Sequence, residues 1–391
     1  MSLSSPEIRF KDDNGNDFPD WEEKKLGEVA EFFDGKRIPL SQEDRAKRQG
    51  SYPYYGASGI IDYIDDYIFE GEFVLLGEDG ANILTRSTRL AFIISGKNWV
   101  NNHAHVMKAM GSNCFLAESL ERIDYNRYNS GTAQPKLNAK TCKGIELEIP
   151  TLPEQKKIAD FLTSVDDRIG QLLKKKALLE DYKKGVMQQF FSQKIRFKDD
   201  NGNDFPDWEE KKISATGNVV TGGTPRTSDR SLYDGDFMFV SPADIGEARY
   251  VKSTTKTLTE AGHEVGRKIP ANSILFVCIG STIGKVAQAG ADCTTNQQIN
   301  SVIPNSSHDA NFLLSLLVKQ SSRIRLLAGN QAVPILNKSE FSKISITLPT
   351  LPEQKKIADF LTSVDQKIES VSQQIAKTQT FKKGLLQQMF V

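Results

Sequence analysis

Three groups of residues in this 391-residue chain have types and spacings that could do chemistry. The first is Gly280-Ser281-Thr282-Ile283-Gly284-Lys285-Val286, spaced almost like a phosphate-binding P-loop. A P-loop needs four residues between its glycines and a Ser or Thr after the lysine to hold Mg²⁺. Here three residues separate the glycines and Val286 follows Lys285, so nucleoside triphosphate binding is not expected. A tight turn after the apolar run Ser273–Val277 is the first reading. A loop whose amides, hydroxyls and Lys285 touch DNA phosphate is the second. The second group is His103-Ala104-His105, whose rings would share one face of a strand. No Cys or carboxylate stands at ligand spacing, so a satisfied or exposed pair is expected rather than a metal site. The third is Glu78-Asp79, with no basic partner at fixed spacing, which reads as loop capping. There is no GxSxG, no GxGxxG after a strand, and no Asn-Pro-Pro or Asp-Pro-Pro followed by an aromatic residue, the motif of amino-methyltransferases.

What remains is a set of polar and aromatic residues in glycine-rich stretches. Lys36, Arg37, Tyr54, Tyr55, Ser58 and Arg86 lie in one part of the chain. Thr221, Thr224, Arg226, Ser241, Lys285, Asn296 and Gln297 lie in another. Arg, Asn and Gln pair bidentately with guanine and adenine edges, and Ser, Thr and Lys hold phosphates. As a set these residues fit the reading of DNA.

The elements that must position them come from a duplication. Pro150–Asp166, PTLPEQKKIADFLTSVD, returns letter for letter at Pro349–Asp365, 199 positions on. IRFKDDNGNDFPDWEEKK fills Ile8–Lys25 and again Ile195–Lys212, 187 positions on. The chain is one domain-sized unit written twice. After each copy of LPEQ, apolar residues recur in steps of four and three. The first seam is Ile158, Leu162, Val165, Ile169, Leu172, Leu179, Val186 and Phe190, interrupted by Lys176 and Lys183. The second runs from Ile357 to Met389 in the same register, with Lys382 inside it. Each is a heptad helix of about 41 residues and roughly 60 Å. Two exposed seams in one chain are best buried against each other, antiparallel if a two-fold axis relates the copies.

The segments between are β-prone and turn-rich, with runs such as Ile60–Ile64, Phe73–Leu76, Leu90–Ile94 and Phe237–Val240, and a possible helix over Phe115–Ile123. They share little sequence, but Gln134-Pro135-Lys136-Leu137-Asn138 aligns with Val333-Pro334-Ile335-Leu336-Asn337. The expected fold is α+β: two globular mixed α/β domains separated by two long antiparallel helices, an intramolecular coiled coil with pseudo-two-fold internal repeat. Boundaries are expected at 1–150, 151–194, 195–349 and 350–391. The arm at Ile8 is predicted to dock where the chain would have continued after Val391, closing a ring.

Composition is that of a soluble globular protein, 38% hydrophobic and 26% charged. No apolar run approaches the roughly 18 residues of a membrane span, no leader is visible, and Cys114, Cys142, Cys278 and Cys293 are expected to be free thiols in the cytoplasm. Fifty basic residues balance fifty acidic ones. Residues 26–149 carry 14 basic and 17 acidic residues, and residues 213–348 carry 13 and 10.

The duplicated LPEQKKIADFL heading a long helix, with TGGTP, GSTIGK and Asn296-Gln297-Gln298 in one variable segment and YPYYGASGIIDY and LLGEDGAN in the other, resembles the specificity subunit of type I restriction–modification enzymes. The resemblance implies two target-recognition domains, each reading half of a bipartite site in double-stranded DNA, with the helices setting the spacing. It implies a non-catalytic subunit. Two methyltransferase (modification) subunits, with S-adenosylmethionine, would methylate adenine N6, and restriction/translocase subunits would use ATP and Mg. The hinges at Leu152, Glu154, Gln155 and Leu351, Glu353, Gln354 are expected to meet the methyltransferase subunits. The alternatives are a type II-like methyltransferase or nuclease acting alone, and a coiled-coil scaffold without a DNA role.

Overall fold

Two long helices, Leu152–Phe191 and Leu351–Met389, organise the chain. The computed structural model describes residues 6–131, 134–246, 248–329 and 334–390, so Val333 of the aligned turn and Val391 lie outside the described residues. Compact units do not divide at the helix ends. One comprises Met1–Leu173 with Gln373–Val391, and the other Lys174–Ser372. Each unit therefore takes the beginning of one long helix and the end of the other, because each helix half buries its seam against the nearer globular part.

In the first unit the two helix segments run antiparallel. Ile158 and Leu162 share a core with Met389 and Phe390, and Asp166 accepts from Lys382 Nζ at 2.6 Å. In the second, Met187 and Phe190 share a core with Ile357 and Leu361, and Lys183 Nζ lies 2.6 Å from Asp365. Lys183 and Lys382, which interrupt the apolar seams, thus each face an aspartate of the opposing helix. A polar pair at a seam position costs stability and fixes register. The repeat makes the two pairs equivalent, since both aspartates and both lysines are 199 positions apart.

Besides a two-stranded sheet, each unit contains two larger ones. In the first unit Ala30–Phe32, Ala104–Ala109, Phe73–Gly77 and Ala91–Ile94 form one sheet in that order, and Gly59–Ile64, Gln49–Gly56, Lys97–Val100 and Phe69–Glu70 form the other. In the second unit Gly217–Thr221, Ile299–Pro304, Ile274–Val277 and Val286–Ala289 occur in the same order, extended by Tyr250–Val251. Lys256–Leu258, Tyr233–Val240 and Cys293–Thr295 complete its second sheet. The same order arises from little common sequence because the apolar pattern persists. Strands Phe73–Gly77 and Ile274–Val277 are buried at every residue, as strands covered on both faces must be. The helix expected near Phe115 is Asn113–Leu120, capped by Ser112, whose hydroxyl accepts from the Phe115 amide.

The repeated arms are alike in detail. Asp12 and Asp199 each accept from two backbone amides of a tight turn, and Gly15 and Gly202 take φ of +86° and +84°. Glycine is the residue that adopts this conformation without a Cβ clash. In the second unit the chain passes from the helix into the arm, and Ile195 N points to Gln189 O at 3.5 Å. In the first unit the chain is broken there, yet Ile8 N donates to Gln388 O at 3.0 Å, the bond between the equivalent residues. The N-terminal arm docks on the end of the second long helix, as expected.

Candidate nucleic-acid interface

In the second unit, strand direction brings distant loops to one end. Thr221 pairs with Asn300 and Val277 with Ile299, both antiparallel, while Val240 pairs with Thr295 in parallel. The segments after Thr221, Val240, Val277 and Thr295 therefore emerge together. They contain every residue expected from the sequence in this half: Thr221, Thr224 and Arg226; Ser241; Lys285; Asn296 and Gln297.

Their roles differ. Gly222 and Gly223 bond through their amides to Ile299 O and Thr295 O at 3.0 and 2.8 Å. A Cβ on Gly222 would lie 2.1 Å from Asn296 O, so only glycine permits this approach. Thr221 Oγ1 donates to Asn300 Oδ1 at 2.6 Å, and Thr224 Oγ1 to Gln297 Oε1 at 2.6 Å. Gln297 is exposed, and its amide hydrogens have no partner among the described residues, nor does the exposed guanidinium of Arg226. Asn296 instead bonds to Gln298 through both its amide oxygen and nitrogen, closing its own turn. Ser241 donates to Asp244 through amide and hydroxyl at 2.8 and 2.7 Å, and Thr255 does the same on the other carboxylate oxygen. Burial pushes the Asp244 carboxyl up, but these bonds outweigh it and hold the group below its ordinary value. Arg267, which sequence reasoning missed, donates to the carbonyl of Thr221 at 2.6 Å and pins the glycine-rich loop.

The Gly280–Lys285 segment is a turn. Gly280 and Gly284 have φ of +94°. The amides of Gly280, Ile283, Gly284 and Lys285 bond to Pro334, Gly280, Val277 and Thr282 carbonyls. A P-loop leaves such amides free for phosphate, so this motif is a turn and not a P-loop.

The matching end of the first unit is built from ion pairs. Gly80 N donates to Pro135 O and Leu137 N to Glu78 O, as Gly280 N does to Pro334 O and Leu336 N to Cys278 O. The loop positions correspond, but the chemistry does not. Glu78 is paired with Arg37 at 2.7 Å, not engaged in loop capping. Asp79 lies 2.9 Å from His103 Nδ1. His105 is fully buried, with Nδ1 2.7 Å from Asp34 and Nε2 2.8 Å from the carbonyl of Leu137. Carboxylates do reach the two histidines, from positions that sequence spacing does not reveal. Among the described residues no His, Cys, Asp and Glu group is arranged to hold a metal ion.

Three first-unit candidates are therefore corrected. Arg37 bonds to Glu78 and to the Ala104 carbonyl; Tyr54 is 1% exposed with its hydroxyl accepting from Leu40 N; Arg86 pairs with Glu121 at 2.7 Å. Each is committed to the fold. Lys36 and Ser58 are exposed and Tyr55 is half-buried.

The hinge residues are corrected as well. Glu154 and Glu353 are 0% exposed, each held by two bonds of 3.0 and 2.8 Å from Arg9 and Arg196. Gln155 and Gln354 are buried and donate to Pro150 O and Pro349 O. The two glutamates lock arm to helix, the two glutamines tie the helix start to the Ser112 and Asp309 amides, and none of the four faces a partner. The signal was present, because arginine and glutamate recur together in both repeated segments. Leu152 remains 60% exposed beside Met110 at 68%, on a cavity of about 440 Å³ that Phe115 also lines, and Leu351 is half-buried.

A family model described as the type I restriction modification DNA specificity domain matches residues 19–180 and again 206–379. The MjaVIII type I restriction enzyme specificity subunit of Methanocaldococcus jannaschii is 23% identical over 409 residues, covering 97% of this chain and 94% of that one. The HindI specificity subunit of Haemophilus influenzae is 33% identical over 174 residues, 42% of this chain and 38% of its own length. The crystal structure of a type I restriction–modification S subunit from M. genitalium superposes with a TM-score of 0.63 at 15% identity, covering 99% of both chains. A chain from a study of complex assembly in a type I system gives 0.54 at 16% identity, covering 95% of this chain and 98% of that one.

Proposed function

The chain belongs to the type I restriction–modification specificity family, and we propose that it is the subunit that reads a bipartite site in double-stranded DNA for its complex. One observation carries this. Each unit gathers loops at one end of its sheets, and in the second unit the guanidinium of Arg226 and the amide hydrogens of Gln297 stand there exposed without a partner among the described residues. Arg and Gln are the side chains that read guanine and adenine edges. Each unit reads one half-site, and the long helices, continuous from unit to unit, set the number of unread bases between.

Chemistry belongs to partner subunits in this reading. Two modification subunits supply adenine N6 methylation with S-adenosylmethionine, and restriction subunits supply ATP- and Mg-dependent translocation. The solved chain from a type I assembly study supports such partnership. The exposed apolar surface at Leu152 and Met110 is where a modification subunit meets the first unit. No described helix is long and apolar enough to cross a membrane, in keeping with a chain acting on DNA in the cytoplasm. Mapping N6-methyladenine before and after deletion of the gene tests the proposal: one bipartite motif should vanish. An unchanged methylome contradicts it.

A further inference from the structure

Next to the base-reading loops of the second unit lies a cavity of about 360 Å³, lined by Ser281, Thr282, Lys285, Ser321, Ser322 and Arg325. The first three come from the turn after strand Ile274–Val277. The last three lie one turn apart on a face of helix Ala310–Leu327. Gly284 brings the two together: a Cβ there would sit 3.4 Å from Ser321 O and 3.6 Å from Arg325 Cβ. All six side chains can donate hydrogen bonds, two carry positive charge, and no carboxylate lines the cavity among the described residues. Arg325 and the four hydroxyls have no side-chain partner among the described residues, and Lys285 makes only a long contact of 3.4 Å to Pro242 O. A surface that gathers this many donors and two positive charges without a carboxylate is complementary to a tetrahedral oxyanion.

We propose that this cavity is a phosphate seat for the DNA backbone beside the second half-site. The inference rests on the DNA-reading function proposed above. A backbone contact at the rim of the reading loops fixes the register of the duplex without choosing bases. The seat is particular to the second unit. At the matching loop of the first, Arg86 and Arg89 are held by Glu121 and Glu118 at 2.7 and 2.8 Å.

The test measures binding by the full-length chain, assembled with its modification subunits, to a duplex carrying the methylated motif, from about 0.05 to 0.3 M salt. Arg325→Ala should weaken binding about 3- to 10-fold and lower the slope of log K against log salt by about one. Arg325→Lys should retain most of the slope. The motif itself should not change. Arg323→Ala removes the same charge from another face of the same helix and should leave the slope unaltered. Equal effects at Arg323 and Arg325, an unchanged slope for Arg325→Ala, or an altered motif would each overturn the seat. Calorimetric titration with inorganic phosphate separates the two sources of this chemistry. Phosphate binding lost in Arg325→Ala, with an unaltered DNA slope, assigns the seat to free phosphate and overturns the backbone reading. If the unaltered assembly shows no motif-dependent binding, the DNA-reading function fails first, independently of the phosphate result.

Discussion

The two units share the strand order of one sheet and corresponding loop contacts at one end, yet they treat charge in opposite ways. The first ties arginine, histidine and carboxylate to one another: Arg37 to Glu78, His103 to Asp79, His105 to Asp34, Arg86 to Glu121. The second leaves the guanidinium groups of Arg226 and Arg325 and the amide hydrogens of Gln297 without partners among the described residues, and binds its loops through hydroxyls, amides and glycine contacts. Topology decides where a reading loop stands. Local chemistry decides whether a given side chain holds that loop or projects from it. Residue type alone does not separate these roles.

The largest expected effect breaks the equivalence of the repeats. Removing the carboxylate in Glu154→Ala or Glu353→Ala deprives an arginine of its buried partner at the hinge and should cost about 3 kcal/mol in either unit by chemical denaturation. The consequences differ. Arm residues 8–20 are joined to the first unit's helix only by non-covalent contacts, including the bond from Ile8 to Gln388. Glu154→Ala should therefore release that arm in hydrogen exchange, whereas Glu353→Ala should leave residues 195–207 protected. Equal protection in both would contradict the ring closure.

Next in size is the contrast between paired and free arginines. Arg37→Ala strands Glu78 beside the buried His105 and should cost about 2 kcal/mol. Arg226→Ala touches nothing within the fold and should change stability by less than about 0.5 kcal/mol. Thermal unfolding of both variants checks the pair.

Acid sharpens the difference further. Burial pushes the Asp34 carboxyl up, but the hydrogen bond and charge of His105, the Val106 amide and the charge of Arg37 prevail and hold it below its ordinary value. A carboxyl lowered in the folded state contributes stability above its unfolded value of about 3.9, and that stability is lost as pH falls through the folded value. Denaturation curves below about pH 4 should therefore be steeper for the intact chain than for Asp34→Asn.

The smallest effect concerns thiols. Burial pushes Cys278 and Cys293 up to about 12 and Cys114 up to about 11. A disulfide reagent at neutral pH should find none of them readily in the native chain, and Cys114, half-buried, should react first.

Much of this was legible beforehand. The repeats, the helix seams, their antiparallel pairing and the docking of Ile8 all follow from identity and period, which survive any detail of packing. In the second unit the turns were legible too, because glycine, threonine and amide residues mark loops that sheet topology then collects. What could not be read was pairing across distance. Arg37 and Glu78 are 41 residues apart, and Arg86 and Glu121 are 35 apart, so no local spacing distinguishes a tied arginine from a free one. Ser321, Ser322 and Arg325 read as the polar face of a helix until a turn of another element is laid against them.

The account stands on the division of labour between the two reading ends. Mapping the methylated motif of an Arg226→Ala, Gln297→Ala double variant tests it most directly. One half-site should relax or change while the other half and the spacing stay as they were. Change in both halves, or in neither, would contradict it.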